Sequence, residues 1–530
     1  MHAKSADSFK TRCRITGVLT ARTPLHVGSG EMLYLRQRKT SAAALSAALD
    51  GDPDPQYNAC VSGVEGDAAR PVIMIPGSTL KGVVRSWLRR RGAPASLVER
   101  VFGYEVRGGP GGQGGKVEFH DAPLRGQAPG DNKARWWDDE RKTCLTPGVA
   151  LDPHTRTALN DLLYYVEYAP EGSTFSVTVT GQNLEDDERN LLCAALAQGF
   201  NDPDDPIHVG AGVADDWGRM AWEQTECAII EHDDVKKWLA AGEPGSYEHI
   251  FRADPTPWTR LSFPQTGSML RLDVRLQFTG AVLVNDPSQQ QKRDESAGVE
   301  GTTHAAVKRI DGQYFLPGSS VRGALRAQVR RIWQTVAYGQ DGYLRRVAAP
   351  EAKRQGDERN LPLFYRMLGA PGWRAPVRVP DFALACDAWS YRQEFVAIDR
   401  FTGGAAENKK FNAEALYAPE FEAVVEIDLA RWKDAGVEGC AVLLLLYLLR
   451  DLQDGDIHFG FGRSKGYGAC TAEITASCVG AVPDALYGGE NLEAIVTGVL
   501  SNGSVLQNAL LKAWDAELTT LVAQSAPAAV

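Results

Sequence analysis

The chain has 530 residues, 44% of them hydrophobic, and its formal net charge at pH 7 is −10. This length exceeds what one ordinary hydrophobic core accommodates, so we expect at least two domains. The acidic balance excludes a generally basic coat for nucleic acid, so a nucleic-acid site would have to be a local basic groove.

The cysteines and the apolar runs indicate the cellular compartment in which the protein works. Nine cysteines stand singly, without a C-x-x-C pair, and this pattern indicates neither a zinc site nor a disulfide framework. The N-terminal residues contain no apolar signal core, and the most lipophilic run, 440–449, is too short to span a bilayer. We expect a reduced, cytoplasmic protein.

In chain order, the first predicted element is a strand. Residues 12–21 alternate between polar and apolar types and carry β-branched side chains. A turn-rich exit (TPLHVGSG, 23–30) and an acidic loop as far as Asp67 follow this strand. Residues 71–75 then lead into 75–91 (IPGSTLKGVVRSWLRRR), a stretch that predicts a loop feeding a helix.

This stretch, which we call the P-G-S helix, occurs twice in the sequence. The second copy is 316–332 (LPGSSVRGALRAQVRRI), and both copies place an apolar row beside a basic row, after a serine that suits an N-cap. A helix N-terminus with exposed amides and nearby cations suits a phosphate, whereas a solvated charged face on a core helix is the alternative. The residues that we place at the phosphate are Ser78, Lys81, Arg85, Ser319, Arg322 and Arg326.

Two glycine loops also repeat. The first glycine loop, 207–218 (IHVGAGVADDWG), and the second, 457–468 (IHFGFGRSKGYG), align as I-H-x-G-x-G-x5-G. Each follows a predicted helix and precedes a strand, which is the reverse of the dinucleotide-binding context. Backbone amides of such loops approach phosphates closely, and a tight turn against the helix is the alternative. The phosphate contacts that we place here are Gly210, Gly212, Gly460, Gly462, Arg463 and Lys465.

The repeat defines the fold. Each half orders as strand, helix, two or more strands, helix, glycine loop and strand, with a period of about 240 residues, which indicates a tandem duplication. The fold class is therefore α+β, with two ferredoxin-like (RRM-like) βαββαβ domains that carry insertions. The predicted boundaries are 1–232 for the first domain, 233–268 for a linker, 269–480 for the second domain and 481–530 for a helical C-terminal extension.

These motifs together resemble the RAMP superfamily of CRISPR-associated proteins, specifically the repeating backbone subunit of type III effector complexes. The resemblance is carried by TPLHVGSG at 23–30, both P-G-S helices, the segment 396–426 and both glycine loops. As a set they touch most of residues 11–475. The double arrangement resembles a fused two-copy backbone subunit of a type III-D-like complex.

The resemblance implies that the chain binds guide RNA through the residues placed above at a phosphate and through His26. A β-hairpin thumb within 148–167, and another within 400–414, would kink the guide–target duplex and splay out a base. The implied partners are guide RNA, target RNA, other RAMP subunits, and the large and small subunits of a type III complex.

The resemblance also implies an endoribonuclease that cleaves the target RNA with Mg²⁺ or another divalent cation. In the family, an aspartate between the first strand and the P-G-S helix promotes this cleavage, because a carboxylate holds the metal or positions the 2′-OH for in-line attack. Counting back from Pro76 favours Asp52 or Asp54 as the catalytic residue and metal ligand. The second copy has no aspartate at the comparable position, 302–304, and Asp286 is its candidate. A solvated loop acid is the alternative for each.

Two rival functions remain open from the sequence. One is a catalytically inactive, structural RNA-binding subunit, and the other is a guide-precursor ribonuclease that uses His26 as an acid or base. We interpret His208 and His458 as structural groups that cap the preceding helices. Trp136 and Trp137 either stack on a base or anchor their insertion to the core.

Overall fold

A computed structural model gives the first half a sheet, covering helices and a separate hairpin. The residues that the structure describes, in the whole chain, are 9–38, 55–65, 70–105, 111–126, 136–152, 157–242, 247–254, 258–262, 268–286, 304–306, 312–339, 357–437, 439–480, 492–502 and 508–525. The strands of the first half are β1 (Thr11–Ala21), β2 (Gly28–Tyr34), β3 (Gln56–Cys60), β4 (Ser62–Glu65), β5 (Arg70–Ile75), β6 (Gly103–Glu105), β7 (Gly112–Gly114), β8 (Val117–Phe119), β9 (Ala122–Gly126), β10 (Cys144–Leu151), β11 (Ala158–Tyr168), β12 (Thr174–Gln182), β13 (Met220–Glu231) and β14 (Arg252–Ala253). Its helices are α1 (Gly77–Arg90), α2 (Ala95–Phe102), α3 (Asp186–Asn201) and α4 (His232–Ala241).

The second half repeats this order. Its strands are β15 (Met269–Phe278), β16 (Ala281–Val282), β17 (His304–Ala305), β18 (Phe315–Leu316), β19 (Val377–Arg378), β20 (Phe382–Leu384), β21 (Trp389–Ile398), β22 (Ala405–Tyr417), β23 (Glu420–Asp428) and β24 (Cys470–Val479). Its helices are α5 (Gly318–Tyr338), α6 (Leu363–Leu368), α7 (Leu429–Asp434), α8 (Gly439–Gln453), α9 (Leu492–Asn502) and α10 (Asn508–Ser525).

The two main sheets share one topology. In the first half β1 lies between β12 and β13, antiparallel to both, and β8 and β9 continue the sheet beyond β12. In the second half β15 lies between β23 and β24, antiparallel to both, and β19 and β20 continue it beyond β23. This is the strand order of a βαββαβ unit, so the predicted pair of ferredoxin-like domains is confirmed.

The alternating strand pattern and the helical apolar row explain how each core forms. Ile15 and Leu19 of β1 point to the same buried face, as residues separated by an even number of positions do in a strand. Leu80, Val84 and Leu88 of α1 lie on one face of the helix and pack with them in one hydrophobic core. In the second half α5 and α8 cover β15 in the same way.

The segments between and after the two predicted domains carry secondary structure of their own. The predicted linker, 233–268, contains α4 and β14, and β14 extends the first sheet by pairing Ala253 with Ala228 of β13. The predicted extension, 481–530, contains α9 and α10, whose residues Trp514 and Leu518 are buried in the core of the second half. None of the helices within the described ranges is long and apolar enough to span a bilayer.

Each half carries a long antiparallel hairpin outside its main sheet. The first thumb is β10–β11 and the second is β21–β22, so hairpins are present in both predicted regions, 148–167 and 400–414. A short strand from the loop after the central strand joins each hairpin in parallel. β3 pairs with β11 at Tyr57↔Tyr165, and β17 pairs with β22 at His304↔Ala413. The two thumbs are therefore equivalent in topology.

Candidate nucleic-acid interface

The start of each P-G-S helix is capped by an aspartate from a distant part of the chain. The Gly77 amide donates to Oδ1 of Asp121 at 2.8 Å, and the Gly318 amide donates to Oδ1 of Asp381 at 2.9 Å. The N-cap residues themselves are prolines, without a side-chain cap. The predicted N-caps, Ser78 and Ser319, are wrong for this reason, and both serines are exposed.

Glycine begins each P-G-S helix because the helix presses against a neighbouring chain segment. A Cβ on Gly77 would lie 1.9 Å from the Phe119 carbonyl oxygen, and a Cβ on Gly318 would lie 2.1 Å from that of Val379. With the first amide bound to a carboxylate, a phosphate at this end would be held by the remaining amides and by side chains. The anion site predicted at the helix start is thus partly filled by the protein itself.

The basic row of α1 lies at the surface, held by backbone carbonyls. Lys81 Nζ donates to the Val117 carbonyl at 3.1 Å, and Arg85 donates to the Gly103 carbonyl at 2.7 Å. Both side chains are half-buried. Burial, and then the positive charge of Arg85, lower the pKa of Lys81. The hydrogen-bond acceptors of both residues are neutral carbonyls, and a phosphate contact by either residue stays a prediction.

The basic row of α5 contacts protein instead. Arg322 forms an ion pair with Asp215 of the first glycine loop, with nitrogen and oxygen 3.0 Å apart. The Arg326 guanidinium lies 5.2 Å from the ring centroid of Tyr365. We expected Arg322 and Arg326 at a phosphate. The structure gives them protein partners, and Arg322 joins the two halves.

The two glycine loops have the same geometry, as their alignment predicts. Gly210 and Gly460 have φ angles of +82° and +80°, and a Cβ on either would lie within 2.4 Å of a carbonyl oxygen from the segment after the central strand. The residue after each of these glycines is hydrogen-bonded to the same segment. Ala211 N–H donates to the His26 carbonyl, and Phe461 N–H donates to the Leu283 carbonyl. Each loop therefore lies beside the exit of its central strand.

The surroundings of the two loops differ. In the first loop the Ala214 carbonyl accepts from Val379 N–H of the second half at 2.8 Å, and Asp215 pairs with Arg322. Burial, opposed by the charge of Arg322, raises the pKa of Asp215 to about 6. The corresponding residues of the second loop, Arg463 and Lys465, are exposed. The first loop is thus an internal joint, and the second loop is an open cationic turn.

The histidines have structural partners. His26 is only 8% exposed, and its Nδ1 lies 2.6 Å from the Glu167 carbonyl oxygen, so the structure does not place it at a surface for RNA. Burial lowers its pKa. His208 bonds the Pro206 carbonyl and Asp216, so it braces the first glycine loop and does not cap the preceding helix.

A buried ion cluster fixes the first thumb, and sequence reasoning missed it. Glu167 of β11 accepts from Arg38 at 3.0 Å, from Arg141 at 2.7 Å and from Thr143 at 2.6 Å. The Arg38 and Glu167 side chains have no exposed surface. Nothing in the local pattern points to the cluster, because its members come from segments that are far apart in the sequence.

Nearby tryptophans prove to be anchors. Trp136 and Trp137 are 1% and 2% exposed, and Trp136 packs edge-on against Tyr165 of the first thumb. A buried ring offers no face to a base, so the base-stacking interpretation of these two residues is wrong. The alternative, an anchor for the insertion, agrees with the structure.

The tip of the second thumb presents an aromatic side chain that sequence reasoning also missed. Phe401 is 92% exposed. Its turn is ordered, because the Asp399 carboxylate accepts from the backbone amides of Phe401 and Thr402 at 2.8 and 2.9 Å. The DRFTGG sequence contains the signal, since an aspartate that starts a glycine-rich turn forms this kind of hydrogen bond.

Of the three proposed catalytic aspartates, one lies within the described residues and two lie outside them. Asp52 and Asp54 lie outside the described residues. Asp286 is described and 4% exposed, and its amide donates to the Ala305 carbonyl at 2.9 Å. This contact brings Asp286 beside β17, but its carboxylate is covered by protein. Within the part of the chain that the structure describes, no three His, Cys, Asp or Glu side chains form a metal-binding group.

Comparison with known proteins gives a family match over both halves. A family model described as RAMPs, the RAMP superfamily, matches residues 18–220 and 204–471. These regions span well over half of the chain, and each contains a P-G-S helix, a thumb and a glycine loop. No curated protein matches the chain.

Proposed function

Because this chain belongs to the RAMP superfamily, whose members are CRISPR-associated RNA-binding proteins, we propose that it is a fused, two-copy backbone subunit that binds the guide RNA of a type III effector complex. One observation supports this most strongly. The first glycine loop contacts the start of α5 through Asp215 and Arg322, so the loop of the first half and the P-G-S helix of the second half lie in one contiguous row. A contiguous row suits one continuous ribose-phosphate strand.

In this proposal the thumbs distort the duplex of guide and target RNA. Phe401 is an apolar side chain on an ordered turn, and such a side chain separates stacked bases at a cost of about a few kcal/mol. The cost is offset by the contacts that the distorted duplex makes along the protein. The exposed Leu163 and Tyr164 of the first thumb would make the equivalent contact in the first half.

We further propose that the first half cleaves the target RNA. Asp54 precedes Gln56, the first residue of β3, by two positions, and two residues reach at most about 7 Å. β3 pairs with β11 of the first thumb, so the sequence position of Asp52 and Asp54, shortly before β3, supports their assignment to this thumb. A bound Mg²⁺ would supply charge neutralisation at the scissile phosphate. The two carboxylates would hold the ion and orient the 2′-OH.

The test uses the chain assembled with guide RNA and its partner subunits. Target RNA fragments are compared for the parent and for Asp52→Ala/Asp54→Ala, with Mg²⁺ and with EDTA. Loss of specific fragments in the variant and in EDTA is expected, with guide binding unchanged. Asp50→Ala, in the same acidic loop, is the matched control and should cleave normally. An unchanged fragment set in the double variant would contradict the catalytic assignment.

The second candidate function is an RNA-binding subunit without catalysis, and the structure favours it for the second half. Asp286 is covered by protein, and the sequence has no aspartate at 302–304, immediately before β17 and in it. This candidate predicts that Asp286→Asn leaves every target fragment in place. The buried His26 disfavours the histidine-dependent ribonuclease, which predicts metal-free cleavage of guide precursor that is lost in His26→Ala.

A further inference from the structure

Aromatic rings and one cation meet where the second glycine loop reaches the base of the second thumb. The His304 ring centroid lies 4.9 Å from that of Phe461 and 5.6 Å from that of Phe411. Phe411 in turn stacks on Phe395 of the neighbouring strand, with centroids 4.9 Å apart. Lys465 Nζ lies between 5.1 and 5.9 Å from the centroids of the three phenylalanines, within the range of a cation–π contact. We call these five residues the aromatic cup.

The cup is open on the side of the loop. Phe461 is 37% exposed, and Arg463 and Lys465 are exposed beside it. The flanking Gly460 and Gly462 hold φ angles of +80° and +87°, which fix the backbone that carries Phe461. A partly exposed aromatic ring is thus carried on this turn, next to two cations.

Among the described residues of the first half, no such cup is formed. The alignment of the glycine loops puts Ala211 at the position of Phe461 and Asp215 at that of Lys465. Asp215 is paired with Arg322 inside the protein. The rings near the first loop, Tyr168 and Trp217, pack against each other, and Tyr168 is 3% exposed. The two glycine loops therefore differ in character, and the second has a partly exposed ring and positive charge where the first has alanine and a paired aspartate.

The chemistry of the cup identifies its ligand. A purely apolar partner would cover the exposed ammonium group of Lys465 without supplying a counter-charge, which is costly. A nucleotide supplies both matching parts, since its base offers a flat π face and its phosphate a negative charge. Burial, together with the charge of Lys465, lowers the pKa of His304, so its ring is neutral at pH 7 and does not repel the cations.

We propose that the aromatic cup holds one unpaired nucleotide of bound RNA, with its base stacked on Phe461 and its phosphate at Arg463 and Lys465. The inference rests on the proposed RNA-binding function and adds a specific site to it. The site acts at one position of the RNA and exists in the second half alone among the described residues. It reads an unpaired base without regard to its identity, because every base has a π face.

The experiment measures binding of an unstructured RNA of about 20 nucleotides to the full chain, with each nucleotide in turn made abasic. For the parent protein, one abasic position should weaken binding about 5- to 150-fold, the contribution of one stacked base. Phe461→Leu should weaken binding of the intact RNA by the same factor. For this variant, no abasic RNA should bind more weakly than the intact RNA. Phe461→Tyr should behave as the parent.

Two further variants sharpen the result. Val396→Ala removes an exposed apolar side chain from the opposite face of β21 and should bind like the parent. Lys465→Gln should lower the slope of log affinity against log salt by about one unit. Parent-like binding by Phe461→Leu, with every abasic RNA weakened equally in both proteins, would overturn the aromatic cup as a nucleotide site. Failure of the parent to bind any RNA would instead overturn the proposed function.

Discussion

The first residue of α1, Gly77, has to be a glycine because the neighbouring backbone leaves no room for a side chain. A Cβ at this position would lie 1.9 Å from the Phe119 carbonyl oxygen. We expect Gly77→Ala to lower the free energy of unfolding by about 1–3 kcal/mol, because backbone must move to relieve the overlap. Gly82, in the same helix, is the matched control. A Cβ there meets nothing within 4 Å, and Gly82→Ala should stabilise by about 0.5–1 kcal/mol in urea titrations. Equal effects at the two positions would contradict the assignment.

The carboxylate cap of α1 gives a second prediction at this scale. Asp121→Ala should destabilise the protein by about 0.5–2 kcal/mol, because the Gly77 amide loses its acceptor. Ser78→Ala should change stability by less than about 0.5 kcal/mol, since Ser78 is exposed and does not cap the helix. Chemical denaturation of the two variants shows whether Asp121 or Ser78 caps α1. A larger effect at Ser78 would restore the serine as the cap.

The caps also show what local sequence could not predict. Proline, glycine and serine in a row correctly indicate a helix start, and both helices begin at the glycine. The acceptor, however, is Asp121 in one copy and Asp381 in the other, 44 and 63 positions away in sequence. A contact between segments so far apart depends on the register of the whole sheet.

At the scale of elements, the buried ions around Glu167 determine how the first thumb is held. Glu167→Gln should destabilise the protein by about 3–5 kcal/mol, because Arg38 and Arg141 would be left buried without a counter-charge. Glu422→Gln is the control, since its pair with Arg275 is about half exposed and should contribute less than about 1 kcal/mol. Thermal unfolding of both variants tests this. A small effect at Glu167 would show that the thumb does not depend on these ions.

The same cluster predicts a pH dependence. Burial opposes ionisation of Glu167, but the hydrogen bond from Arg141 and the charges of both arginines prevail and lower its pKa. A lowered pKa stabilises the folded state above the pKa of the unfolded chain, and this stabilisation is lost as the pH falls through the folded value. The stability difference between the parent and Glu167→Gln should therefore be constant from pH 6 to 8 and shrink below about pH 4.5. A constant difference down to pH 3 would contradict this.

Periodicity predicted the repeated elements well and their pairing poorly. Both P-G-S helices and both glycine loops lie where the residue pattern indicated, because each depends on local spacing, and both hairpins lie in the regions that the family resemblance implied. The parallel contacts of β3 with β11 and of β17 with β22 were not predicted. These short strands follow long insertions, and loop length gives no information about which strand they join.

At the scale of the whole molecule, Asp215 makes the joint between the halves sensitive to pH. Burial and the charge of Asp381 raise its pKa to about 6, against the opposing effect of Arg322. A raised pKa stabilises the folded state below the unfolded pKa, and this contribution is lost as the pH rises through about 6. Relative to Asp215→Asn, the parent should lose about 2 kcal/mol between pH 4 and pH 7. Asp233→Asn, at an exposed position, should show no such trend in thermal unfolding. A difference that does not change with pH would contradict the raised pKa.

The candidate site was partly visible in the sequence. The sequence shows that the second glycine loop is the more cationic, since it has Arg463-Ser464-Lys465 where the first has Val213-Ala214-Asp215. The assignment of Arg322 to a phosphate could not be corrected at that stage. Its partner belongs to the other half of the chain, and only the packing of the two domains brings Asp215 to it.

The joint between the halves has a consequence for stoichiometry. Lys81 occupies in α1 the place that Arg322 occupies in α5, and Lys465 occupies the place of Asp215. If two copies of the chain were to stack through the same joint, Lys465 of one would face Lys81 of the next. Two ammonium groups repel where a carboxylate and a guanidinium attract. Charge therefore disfavours the stacking of one copy of this chain on another through such a joint.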